Sequence, residues 1–287
     1  MFNNNRPQIK SVQLPQGDIR YYEQGMGEPI VFVHGLLVNG YLWRNVVPRL
    51  SGQFRCIVPD WPLGSHRSPF EPDTDLRPPG LARIIADFLD TLNLNNVTLV
   101  GNDTGGALCQ LVVTTYPQRI ARLVLTNCDA YENFLPPTFR PLQWVGKIPG
   151  LTFLVSQSMR LDGVRRLPMA FGALTKRPIP SAVLDEYLHP VIHSAAIRRD
   201  VRKILSGISP KYTLEAATKF GQYPAPVLLA WGQDDRFFTP EYAVRLKNAF
   251  PNVRLEYIED AAAFVPEDQP QRLAELITVF ITEHVKE

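Results

Sequence analysis

The chain has 287 residues, 45% of them hydrophobic, which suits one large domain with a buried core or a domain carrying an insertion. Its 30 Lys and Arg against 28 Asp and Glu leave a net charge of +2 with no long run of one sign, which argues against a nucleic-acid or polyacidic partner. The 26 prolines and 18 glycines fall short of the roughly 25–30% that marks disorder, so a globular protein is expected.

In chain order, residues 8–14 and 19–23 read as two strands joined at Gln16-Gly17, an antiparallel hairpin at a sheet edge. Short apolar runs follow at 30–34, 56–59, 97–101, 123–126, 227–231 and 253–258. They are rich in Val, Ile and Leu and lack in-out alternation, which predicts strands buried on both faces. Helical patterns at 81–92, 107–116, 241–250 and 269–284 alternate with them. This order predicts an α/β fold with a mostly parallel twisted sheet, helices on both faces and right-handed crossovers. Residues from about 131 to 214 break the rhythm, with prolines at 136, 137, 141, 149, 168, 178, 180 and 190 and no convincing strand. The expected organisation is therefore a core of residues 6–130 and 215–287 with a helical cap, or lid, at 131–214. An insertion leaving the carboxyl ends of the strands would roof the ligand crevice of such a sheet.

Three cysteines cannot all pair within one chain, and Cys56, Cys109 and Cys128 read as reduced, buried small hydrophobes. No CxxC or HxxxH pair near a second ligand cluster suggests a metal. The opening MFNNNRPQIK has no apolar segment like that of a signal peptide, and no apolar run reaches the 18 or so residues of a membrane span. A cytoplasmic protein with no membrane partner is expected. The sequons at Asn96 and Asn102 would then carry no glycan.

The segment Val97-Thr98-Leu99-Val100-Gly101-Asn102-Asp103-Thr104-Gly105-Gly106-Ala107 reads as strand, tight turn and helix. Its turn has the form G-x-nucleophile-x-G, in which small neighbours let a strained residue project above the sheet. The projecting side chain is the carboxylate of Asp103, which also suits a helix N-cap. Upstream, the strand Ile30-Val31-Phe32-Val33 runs into His34-Gly35-Leu36. These two segments resemble the α/β-hydrolase superfamily. The stretches HGLLVNGYLWRNVVP (34–48), RCIVPDWPLG (55–64), Gly101 to Gly106 and FVPEDQP (264–270) resemble its haloalkane dehalogenase and epoxide hydrolase branch.

The resemblance implies that Asp103 attacks a carbon bearing a halide or epoxide oxygen and forms an alkyl ester. It implies an oxyanion hole from the backbone N–H groups of Leu36 and Thr104, with His34 in the oxyanion loop. Asp235, in Trp231-Gly232-Gln233-Asp234-Asp235, is the acid expected to orient a histidine. Asp234 is its neighbouring competitor, with an Asx-turn role as the structural alternative, and Asp129 is a second candidate. The histidine itself is missing: Asp260-Ala261-Ala262-Ala263-Phe264 puts Ala263 where the branch carries it. Alanine can neither accept nor donate a proton, so ester hydrolysis has no evident base. Ala263 is either an engineered replacement or a natural loss. Of the other histidines, His66 is the first to test as a substitute. His189 and His193 lie four apart in the insertion, and His284 reads as a surface residue of the last helix.

Other departures bear on the substrate. Thr104 and Leu36 stand where dehalogenases of the branch place the Trp and Asn that hold the departing halide, and leucine offers no side-chain donor. The His-Gly-x-Pro of epoxide hydrolases is absent, with Tyr131, Tyr187 and Tyr212 as unproven proton donors and packing residues as the alternative. Arg198 and Arg199 read as a solvated pair or as partners of an acidic substrate. No Gly-x-Ser-x-Gly occurs, which disfavours a serine esterase. The expectation is an aspartate-nucleophile hydrolase for a small apolar organic substrate, impaired in its second half-reaction, with no cofactor. A lyase, isomerase or cyclase using Asp103 as acid or base, or a non-catalytic binding protein, is the alternative. The sequence sets no oligomeric state.

Overall fold

The computed structural model describes residues 8–284. The expected core begins at residue 6, so its first two residues, like much of the opening segment read for a signal peptide, lie outside the described residues. Eight strands form one sheet: β1 Ile9–Leu14, β2 Gly17–Gln24, β3 Pro29–Val33, β4 Arg55–Pro59, β5 Val97–Asp103, β6 Ile120–Cys128, β7 Val227–Gly232 and β8 Val253–Ile258. Their order is β1-β2-β4-β3-β5-β6-β7-β8. The β1–β2 hairpin is antiparallel and joins β4 antiparallel, and every later pair is parallel.

Twelve α-helices accompany the sheet among the described residues. Those of the first half are α1 Val47–Leu50, α2 Pro78–Thr91 and α3 Thr104–Thr115. Between β6 and β7 come α4 Leu142–Lys147, α5 Leu151–Ser158, α6 Asp162–Arg165, α7 Ser181–His193, α8 Ala195–Gly207 and α9 Pro210–Ala217, with no strand of the sheet. The chain closes with α10 Pro240–Ala249, α11 Val265–Asp268 and α12 Pro270–Glu283. None is long and apolar enough to cross a membrane.

The central strands β3, β5, β6 and β7 are buried along almost their whole length, as runs without polar alternation require when both faces are covered. The run at 253–258 was expected to be buried on both faces, but β8 is only partly buried. It lies at the end of the sheet, where one side has no neighbouring strand to cover it. In the insertion, α8 buries Ile197, Val201, Ile204 and Leu205, a spacing that puts all four on one face of a helix. Ser194 caps its first turn, accepting from the Ile197 N–H at 3.2 Å. α9 begins within the expected cap and ends beyond its boundary at residue 214.

Candidate active site

The carboxyl end of β5 turns into α3 at Asp103, whose φ of 55° and ψ of −133° put a non-glycine residue in a strained conformation. Asp103 occupies the N-cap position, yet its side chain makes no helix-capping hydrogen bond. Its Oδ2 instead accepts the Leu36 backbone N–H at 3.1 Å, and the Thr104 backbone N–H also bonds the carboxyl. Close approach explains two glycines. A Cβ on Gly35 would lie 2.1 Å from Asp103 Oδ2, and one on Gly105 would lie 2.3 Å from the Val33 carbonyl oxygen.

Asp103 borders a cavity of about 90 Å³ together with Leu36 and Thr104. The insertion supplies most of its wall, including Leu142, Val155, Met159, Met169, Val201 and Leu205. Three hydroxyl side chains border it, and each is committed elsewhere. Thr104 donates to Asp129 at 3.1 Å, Thr152 to the Val145 carbonyl at 2.8 Å and Ser156 to the Phe153 carbonyl at 2.8 Å.

Three buried carboxyls gather here. Burial pushes Asp103 up to about 7, against the pull of the Thr104 and Leu36 N–H groups, and Asp235 adds to the rise. Burial raises Asp129 well above the usual carboxylate range, with Asp103 the next contribution. Its Oδ2 takes the Thr104 hydroxyl while its Oδ1 has no hydrogen-bond partner. Asp235 is raised by burial too, opposed by the Phe237 N–H at 2.8 Å and the Asn127 amide at 2.9 Å. Ala263 is fully buried, and its carbonyl accepts from Asn102 Nδ2 at 2.7 Å. The other end of that amide, Asn102 Oδ1, is buried with no partner.

The histidines are engaged in structure. His34 Nε2 accepts the Trp61 N–H at 2.9 Å, which leaves Nδ1 to donate to the Gly35 carbonyl at 2.9 Å. Burial lowers its pKa to about 4, so a neutral ring fixes the loop that presents the Leu36 N–H. His66 lies outside the cavity. Its Nδ1 accepts from the Gly64 N–H at 3.3 Å and its Nε2 faces Asp200 at 3.3 Å, so neither nitrogen is left for water. His189 and His193 pack ring on ring, and His284 bonds the Phe280 carbonyl.

Other expected groups also stay out of the cavity. Tyr187 donates to Glu267 at 2.8 Å, Tyr131 lies under the Arg245 guanidinium, and Tyr212 lies in a separate groove near α3. Arg198 donates to the carbonyls of Val191 and Ile192, and Arg199 binds Asp200. Asp234 pairs with Lys176 at 2.7 Å. The insertion residues that wall the cavity were not foreseen. The spacing of apolar residues in α8 marks a buried face but does not say that part of it faces empty space. Among the described residues no cluster of His, Cys, Asp and Glu is arranged to hold a metal, and all three cysteines are buried and unpaired.

The alpha/beta hydrolase fold family matches residues 28–167. Haloalkane dehalogenase 2 of Mycobacterium tuberculosis is 30% identical over 278 residues, spanning 91% of each chain. A cis-3-alkyl-4-alkyloxetan-2-one decarboxylase of Shewanella oneidensis is 28% identical over 92% of this chain and 85% of its own. The solved structure of the epoxide hydrolase CorEH superposes with a TM-score of 0.81 at 21% identity, covering 96% of this chain and 99% of that one. The chain belongs to the α/β-hydrolase superfamily, and its relatives include haloalkane dehalogenases, which are hydrolases.

Proposed function

We propose that this chain is a carboxylate-nucleophile enzyme in which Asp103 attacks a saturated carbon of a small apolar halide or epoxide and becomes alkylated. The observation that carries the reading is the Asp103 carboxyl, held by two backbone N–H groups at the floor of an apolar cavity. With Oδ2 taken by the Leu36 N–H, Oδ1 is the oxygen left for substrate. A bond forms between Oδ1 and carbon as the bond to the leaving group breaks, and the leaving group departs with the electron pair. Leu36 and Thr104 then serve as the oxyanion donors for attack on the ester carbonyl, with His34 fixing the loop that carries Leu36 and Asp235, or Asp129, as the acid left without a histidine. Ala263 supplies no base, so the ester persists.

A second reading rests on the same shortage of proton-handling groups. The hydroxyls at the cavity are committed to protein acceptors and no histidine lines it, which favours an electrophile needing neither an external acid nor activated water. A four-membered lactone, the substrate class of the Shewanella relative, meets both conditions. Attack by Asp103 at the saturated ring carbon breaks its bond to the ring oxygen and expels a carboxylate. Loss of carbon dioxide then forms the carbon–carbon double bond and returns Asp103 as a carboxylate.

Peptide mass spectrometry after incubation with bromoalkanes, epoxides and alkyl oxetan-2-ones tests both. A stable adduct on the Asp103 peptide, absent in Asp103→Asn and discharged in Ala263→His, supports the hydrolase reading. Turnover of the lactone to alkene without a lasting adduct supports the lyase reading. Reversible binding that Asp103→Asn leaves unchanged, with no adduct and no turnover, overturns both in favour of a binding protein.

A further inference from the structure

The balanced overall charge conceals a local asymmetry on the insertion. Between residues 140 and 166 the chain carries five cations against Asp162 alone; Arg165 is buried against Asp185 and Arg166 pairs with Asp162, which leaves Arg140, Lys147 and Arg160 as the excess. The same region concentrates exposed apolar surface: of thirteen large hydrophobic residues exposed among the described residues, seven lie between 144 and 169. Trp144 and Ile148 stand one turn apart at the end of α4, and Phe153 and Leu154 open α5 across the Pro149-Gly150 joint. We propose that this outer face of α4 and α5 is a docking surface for an anionic lipid bilayer, from which apolar substrate enters the Asp103 cavity.

Three features favour lipid. Cations sit at the aromatic groups themselves, with Lys147 Nζ 5.7 Å from the Trp144 ring centroid and the Arg198 guanidinium 5.2 Å from that of Phe153. An aromatic body with a cation beside it suits the boundary between acyl chains and anionic headgroups, where a long basic side chain extends to the phosphates. The same helices line the cavity through Leu142, Val145 and Val155, and Met169 both lines it and is 60% exposed, so the cavity wall reaches the surface within this apolar region. The helices are 6 and 8 residues long, far short of the roughly 20 that span a bilayer, so they lie on the membrane and do not cross it. A second copy fits less well, because a two-fold contact through this face would set Lys147, Arg160 and Arg198 against their own equivalents. The expectation of no membrane partner rested on the lack of a signal-like segment and of an apolar run long enough to span a bilayer, which bears on crossing a membrane and not on lying against one.

Tryptophan fluorescence reads the contact directly. Trp43, Trp61 and Trp231 are buried while Trp144 is 65% exposed, so a polarity change on docking is reported by Trp144. The full chain is mixed with vesicles of phosphatidylcholine alone or with phosphatidylglycerol, and binding is followed by emission and co-sedimentation. The expected result is a blue shift and sedimentation with the phosphatidylglycerol vesicles, weakened at high salt. Partitioning should fall by about tenfold or more in both Trp144→Glu/Phe153→Glu and Lys147→Glu/Arg160→Glu. Val279→Glu, on the exposed face of α12, should bind as the parent chain does. Failure to sediment with anionic vesicles overturns the proposal. So does a Trp144 blue shift that follows protein concentration without lipid and accompanies a doubled mass, which would assign the face to a second copy.

Discussion

Two regions of this molecule bury carboxylates, and they treat them in opposite ways. At the seam between core and insertion, Asp200 accepts the Phe70 N–H at 2.9 Å, faces His66 and is gripped by Arg199 at 2.9 and 3.0 Å. Burial alone would push it up, but these hydrogen bonds outweigh burial and hold it below the usual carboxylate range. Nearby, Glu267 takes two bonds from Arg44 at 2.6 and 2.7 Å and a third from Tyr187. At the elbow, Asp103 has two amide N–H groups and no cation, and Asp129 keeps an oxygen with no partner. Saturated carboxylates fasten one layer of the fold to another. On the proposed function, the under-partnered Asp103 keeps its capacity to react, at a cost in stability that the surrounding sheet offsets.

The comparison is broken most severely by removing the reacting group. Asp103→Asn should lower the rate of alkylation by about 10³-fold or more, read as adduct formation by mass spectrometry. At the seam, Arg44→Ala strands Glu267, whose side chain is only 7% exposed. That should destabilise the fold by about 3–5 kcal/mol in urea unfolding. If the variant unfolds like its parent, the seam is not a fastening. On the proposed mechanism, alkylation in the parent chain should rise about 10²-fold from pH 5 to pH 8 and level off above that, because the attacking species is the ionised form of a carboxyl raised to about 7. A flat profile would deny Asp103 that role.

The smallest effect concerns stability. A carboxyl raised on folding contributes stability that is full below its unfolded value and is lost as pH rises through about 7. Asp103→Asn should therefore raise Tm by roughly 2–4 °C at pH 8 and change it less at pH 5. An unchanged difference between the two pH values would show that Asp103 is not a buried, raised acid. The Asn variant also separates activity from folding, since it should lose the adduct and gain stability together.

The sequence was most legible where the physics is local. A run such as Ile30-Val31-Phe32-Val33 has one reading in an alternating β/α pattern, and Gly101 through Gly106 carries its turn in the residue types themselves. The fold and the strained turn at Asp103 could both be read in that way. The N-cap alternative for Asp103 was open until the structure showed its Oδ2 bonded to Leu36, 67 residues away in the chain. His66 looked available because a one-dimensional pattern does not record that Asp200 and the Gly64 N–H occupy its nitrogens. The charge asymmetry of the insertion is written in the sequence, but its meaning depends on which face each side chain shares.

By itself, then, the sequence determined the order of strands and helices and the tight turn that carries Asp103, because periodicity, turn chemistry and residue identity act over a few residues. The tertiary structure decided which carboxylates are satisfied, that the cavity hydroxyls are committed to protein acceptors and which residues line the cavity. Those properties depend on hydrogen-bond partners and exclusion of water set by segments far apart in the chain.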